Sequence, residues 1–221
     1  MQWNGVTLPT SLKEEHVKSR IEIFQKIKEI WTNEDLWLEL NLTPIHINEW
    51  QILNESELNK FWTPLHYAAQ NGVSAKVIEH LVENRAWRSL KDADGNTPLD
   101  LAINANHSHL YEVLKPQFLI EFNDEYIDSV EKHFYEVINR CAGGLVESHK
   151  LRLPQLRPVL EIMKGTVTFS VPGMYGGFYY KFAVDEEAKK IKCLVVDTWC
   201  RLDEDSEERY HVTNEGYTLV S

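Results

Sequence analysis

Apolar residues recur at intervals of three and four along the first stretch of the chain. Val17, Ile21, Phe24, Ile27 and Trp31 form one stripe at helical period and predict a helix over about 11–31. Ser11 and Glu14 have the S-x-x-E spacing of a capping box. Lys13, Lys18, Lys26 and Lys28 alternate with acids on the other side, so the stripe is expected to pack on the rest of the protein. The run EDLWLELNLTPIHINEWQIL predicts a short helix, a turn at Thr43-Pro44 and a further helical piece from about Asn48 to Lys60.

The next segment repeats. Thr63-Pro64-Leu65-His66 is followed by Tyr67-Ala68-Ala69, and Thr97-Pro98-Leu99-Asp100 by Leu101-Ala102, 34 residues later. Each copy continues as a short helix, a break at Asn71-Gly72 or Asn106-His107, and a second helix. A threonine hydroxyl caps a helix start, and proline suits the first helical position because its missing N–H is unneeded there. The alanines let paired helices approach closely. Asp92-Ala93-Asp94-Gly95-Asn96 supplies turn chemistry between the copies. The period, the T-P-L-H start and the turn resemble the ankyrin repeat over about 63–116. The chain departs from that pattern at Arg85, where the family usually has glycine. It departs again at Trp87, where the family has a polar residue, and at Asp100, where the motif has histidine. Two copies are one fewer than the ~3 a free-standing stack needs, so both ends should be covered by flanking structure in one compact body.

Beyond the repeats, Tyr126, Val130 and Phe134, with Val137 and Ile138, predict a helix over 122–140, stopped by Ala142-Gly143-Gly144. A shorter helix is expected over 156–163. From Thr166 the period becomes two: Val167, Phe169 and Val171, then Phe178, Tyr180, Phe182 and Val184. Runs over 191–199 and 210–220 follow, the last interrupted at Asn214-Glu215-Gly216. The fold class expected is α+β: a helical cap over 1–62, two repeats over 63–116, and an α+β module over 117–221. In that module three or four antiparallel strands carry helices on one face. The phrase VPGMYGGF at 171–178 forces a loop that presents Met174 and Tyr175. The runs LRLPQLRPVLEI, FSVPGMYGGFYYKF and CLVVDTWCRL make residues 143–221 look like the C-terminal module of poorly characterised bacterial ankyrin-repeat proteins.

Charge narrows the partners. There are 23 Lys and Arg against 34 Asp and Glu, a net charge of −11. That disfavours nucleic acid and anionic membranes and suits a basic protein surface. No apolar run approaches the ~18 residues of a spanning helix. The start, MQWNGVTLPTSLKEEH, has no basic n-region and no apolar h-region, and Cys141, Cys193 and Cys200 fit no disulfide spacing. A cytoplasmic location is expected, with export only by a route that reads no N-terminal signal.

No catalytic residue, cofactor site or metal site stands out. If Asp203 to Glu208 is a symmetric turn, Cys200 lies opposite His211 as nucleophile and base. A half-buried cysteine beside a surface histidine accounts for the same residues. His133, Cys141 and His149 have no finger spacing. The resemblance instead implies a non-catalytic binding surface of hairpin tips and first helices: Trp87, Arg88, Asp92 and Asp94 at the tips, with Tyr67, Gln70 and Asn71 on the helix. Met174 and Tyr175 join them on the glycine loop. An immunity protein that blocks a basic toxin domain, or an adaptor, is the function this implies. A secreted effector seizing a host protein, or a Cys200–His211 enzyme, are the alternatives. Trp87, standing where a polar tip residue belongs, should then be replaceable by alanine with little change in melting temperature.

Overall fold

The computed structural model describes residues 1–40, 42, 46–52, 60–118, 120–162, 165–185, 187–202 and 207–221. These residues divide into two compact units, one of Leu8–Gln117 and one of Met1–Thr7 with Phe118–Ser221.

The first unit is helical. A 3-10 turn at Pro9–Ser11 precedes helix α1, Glu14–Ile30. The expected capping box is not formed: α1 opens after Lys13, with no side-chain cap. Its buried face is also rotated from the expected stripe. Arg20, Phe24 and Ile27 are buried, whereas Ile21 is 38% and Trp31 63% exposed. Helix α2, Glu34–Glu39, is capped by Asn33, whose side chain accepts the Leu36 N–H. The expected turn at Thr43-Pro44 and most of the helical piece after Asn48 lie outside the described residues; Asn48–Ile52 are not helical.

Thr63 and Thr97 open equivalent helices, α3 over Pro64–Asn71 and α5 over Pro98–Asn104. Each is followed by a return element: α4 over Ala75–Glu83, and a 3-10 turn at Ser108–Leu110 running into α6, Tyr111–Leu114. The breaks match too. Gly72 (φ 65°) and Asn106 (φ 60°) both adopt the left-handed conformation 34 residues apart. A Cβ on Gly72 would meet the His107 ring at 2.5 Å, so glycine is needed there for space as well as for φ. His107 Nε2 and His109 Nε2 donate to the Gln70 and Val73 carbonyls, tying the second pair to the first. Leu65, Ala68, Ala69, Val77, Ile78, Leu81 and Ala102 form one core with Phe24, Ile27 and Trp37.

The second unit is a six-stranded sheet in the order β1-β2-β3-β4-β5-β6: Gln2–Trp3, Val167–Val171, Gly176–Asp185, Lys190–Cys200, Arg209–Thr213 and Gly216–Leu219. All neighbours are antiparallel except β1, which pairs parallel to β2. The sheet therefore exceeds the three or four strands expected, because the fourth run is a hairpin and the first strand comes from the N-terminus. Helix α7, Asp124–Ala142, covers one face, burying Val130, Phe134, Val137 and Ile138. Its Phe134 ring lies 4.9 Å from the Tyr180 ring. Two short helices follow, α8 over Leu145–Ser148 and α9 over Arg157–Leu160. Among the described residues, no helix is long and apolar enough to cross a membrane.

Candidate partner-binding surface

The helix starts of the two repeats carry one device in two chemistries. In α3 the Thr63 N–H donates to His66 Nδ1 at 3.2 Å, and the Thr63 hydroxyl lies 2.8 Å from the same nitrogen. In α5 the acceptor is a carboxylate: Asp100 Oδ2 takes the Thr97 N–H at 2.8 Å and the Thr97 hydroxyl at 2.7 Å. The departure from histidine at Asp100 keeps the acceptor that the cap needs.

The hairpin between the repeats is built around Asp92. Its Oδ1 accepts the N–H groups of Asp94 (2.9 Å) and Asn96 (2.8 Å), and its Oδ2 accepts the Trp62 indole N–H at 2.9 Å. The Ala93 N–H donates to the Lys60 carbonyl, joining this hairpin to the segment before α3. Asp92 is 5% exposed, so its place on the expected binding surface is corrected: it shapes the tip from within. Trp87 is corrected likewise. It is 3% exposed, and its backbone N–H donates to Asn48 Oδ1 at 2.8 Å. Asn48 Nδ2 donates in turn to the Arg85 carbonyl at 2.9 Å. One buried amide thereby fixes the backbone of 85–87.

Arg85 occupies a left-handed position (φ 72°) that costs a side chain roughly 1–2 kcal/mol. Arg85→Gly is expected to raise the stability of the repeat unit by about 1 kcal/mol, read as a higher urea midpoint. An unchanged or lower midpoint would show that the arginine side chain offsets its backbone strain.

Of the other sequence-derived residues, Asp94 is exposed, and Tyr67, Gln70, Asn71 and Arg88 are partly exposed. Sequence reasoning missed Trp62 and Lys60. The Trp62 ring meets Tyr67 edge-on at 5.3 Å, and Lys60 Nζ sits 4.5 Å over the Trp62 ring. The Tyr67 hydroxyl donates to Gln51 Oε1, and burial raises its pKa. The signal available was Lys60-Phe61-Trp62 directly before the first cap, a strongly apolar tip where a polar turn belongs.

The glycine loop lies on the sheet unit. Tyr175 is 66% exposed with φ 54°, its carbonyl accepts the Arg201 N–H at 3.0 Å, and Met174 is half-buried. The aromatic points out rather than into the core. Gly176 follows because a Cβ there would lie 1.9 Å from the Trp199 carbonyl oxygen.

The alternative Cys200–His211 pair is not formed. Cys200 pairs with Gly176 on β3, and His211 with Val195 on β4. Asp197 faces Arg209, with an ion pair of 2.6 Å. Asp203–Ser206, most of the assumed turn, lie outside the described residues. His133 bonds Glu136, and Cys141 lies near Glu208 and Tyr210. Burial pushes the thiols of Cys141 and Cys193 up, away from the thiolate that nucleophilic chemistry needs.

Residues 39–125 match the family model for ankyrin repeats, in three copies. Two helix pairs of that span are described above; 41, 43–45, 53–59 and 119 within it lie outside the described residues. Curated proteins and solved structures give no match. Residues 39–125 are thus an ankyrin-repeat region, a module of protein–protein interaction.

Proposed function

We propose that this ankyrin-repeat chain is a non-catalytic binding protein that blocks a basic protein surface, as an immunity protein or an adaptor does. The observation that carries the reading is the ridge at the start of the repeats. Trp62 and Tyr67 form a part-exposed aromatic pair, locked by Asp92 and Gln51, and the hairpin and the start of α5 carry the exposed acids Asp94 and Asp100. Preorganised aromatics supply contact area at low entropic cost, and acids steer a basic partner into place. The net charge of −11 favours the same kind of partner. Gln70 and Asn71 follow Tyr67 along α3, and Arg88, Met174 and Tyr175 are the further contacts proposed.

The test is capture by the immobilised full chain. Lysate proteins retained at low salt should be basic and should elute as salt screens the acids. Asp94→Lys with Gln70→Lys should reduce capture about tenfold with an unchanged circular dichroism spectrum. Capture that is indifferent to both substitutions and to salt would overturn the reading.

A further inference from the structure

Three pairs in the chain set glycine directly after an asparagine or aspartate: Asn4-Gly5, Asn71-Gly72 and Asp94-Gly95. Glycine in that place lets its backbone nitrogen approach the preceding side-chain carbonyl carbon, because no Cβ stands in the way. The fold closes two of these pairs. Asn4 Oδ1 accepts the Val6 N–H at 3.2 Å. Gly5 is hemmed in, since a Cβ there would lie 2.5 Å from the Arg152 carbonyl oxygen and 2.8 Å from the Phe169 ring. Asn71 ends α3, and the Gly72 N–H is shared between the Ala68 and Ala69 carbonyls while the His107 ring fills the space beside it.

The third pair is open. Asp94 is exposed, and its carboxylate accepts no hydrogen bond among the described residues. Nothing lies within 4 Å of the place a Cβ on Gly95 would take. The Gly95 N–H reaches the Asp92 carbonyl only at 3.4 Å, beyond the usual length of such a bond. Asp92 Oδ1 meanwhile holds the Asp94 and Asn96 N–H groups, so the backbone around Asp94 is fixed while its side chain has no tie.

We propose that Asp94 is a site of spontaneous covalent modification, where aspartate converts to isoaspartate. The Gly95 nitrogen bonds to Cγ of the protonated Asp94 carboxyl. The Cγ–OH bond breaks, and that hydroxyl leaves with the nitrogen's proton as one water. The product is a five-membered succinimide, and a second water opens it. Opening at Cγ restores aspartate; opening at the main-chain carbonyl carbon routes the chain through Cβ. Mass and charge are unchanged, and the only co-reactant is water. The hairpin is then one backbone carbon longer, so the Asn96 N–H no longer meets Asp92 Oδ1. The site stands whatever the repeats bind.

The experiment is incubation of the full chain at neutral pH and physiological temperature, with isoaspartate located by peptide mapping and electron-transfer fragmentation. Isoaspartate should build up at residue 94 about tenfold ahead of residues 4 and 71, which react only after local opening. In denaturant the order should reverse, because an amide carbonyl takes up the nitrogen more readily than a carboxylate. Asp94→Glu, whose longer side chain would need a six-membered ring, should form none and should unfold at the parent midpoint. Amide exchange at Asn96 should be faster in the isolated isoaspartyl form. Isoaspartate appearing first at residue 4 or 71 of the folded chain would overturn the proposal. So would its absence at residue 94 over a time in which a free peptide of residues 92–97 converts.

Discussion

Replacing Trp87 by alanine is expected to cost the repeat unit ~3–5 kcal/mol, the usual range for removing a buried large aromatic. For a unit of this size, that lowers the melting temperature by more than about 10 °C. The sequence pattern suggests the opposite, because the family position is polar and lies at a tip. The structure removes that reading: the residue is 3% exposed and its backbone N–H is held by Asn48. The measurement is thermal and urea unfolding of Trp87→Ala, followed by near-ultraviolet circular dichroism. Trp87→Phe, which keeps most of the buried area, should recover well over half of the loss. A melting temperature within a degree or two of the parent chain would return Trp87 to the surface.

What could be read in advance was local. Thr63, Thr97, Gly72 and Asn106 declare their roles because caps and left-handed stops depend on a residue and its immediate neighbours. The α7 face was legible for a similar reason, since a stripe of Val130, Phe134 and Val137 can bury only one way. Long-range pairing was not. Gln2–Trp3 carries no alternation that marks it as a strand, and its partner is 166 residues away. The β4–β5 register failed on parity. The expected turn sets Val212 opposite Trp199, joining an inward side chain to an outward one. The observed register sets Val212 opposite Leu194 and Tyr210 opposite Val196, all buried, which leaves Cys200 and His211 on opposite faces. The candidate surface was half legible. Tyr67 and Asp94 lie where the repeat pattern predicts exposure, but Trp87 and Asp92 are buried, the one bonded through its backbone N–H to Asn48 and the other through its carboxylate to Trp62. Those partners lie 39 and 30 residues away, beyond any local signal.

The second large effect is expected at Arg20. Its side chain is 1% exposed, and it donates to the Trp50 carbonyl through Nε at 3.2 Å and Nη2 at 2.7 Å. Nε is also 3.4 Å from Glu49 Oε2, and the guanidinium lies 5.7 Å from the centre of the Trp50 ring. Burial lowers the arginine pKa and the Glu49 charge opposes that shift, so the cation persists across ordinary pH. Arg20→Met leaves Glu49 buried with less compensation and takes two donors from the Trp50 carbonyl. We expect a loss of ~3–5 kcal/mol in urea unfolding. Desolvation makes the pair itself worth far less than that figure. Arg20→Met with Glu49→Leu is therefore expected to return to within about 1 kcal/mol of the parent chain. A double variant as unstable as the single one would mean that the bonds to the Trp50 carbonyl, rather than the ion pair, hold α1 in place. An Arg20→Met chain unfolding at the parent midpoint would instead mean that α1 is held by Phe24 and Ile27 alone.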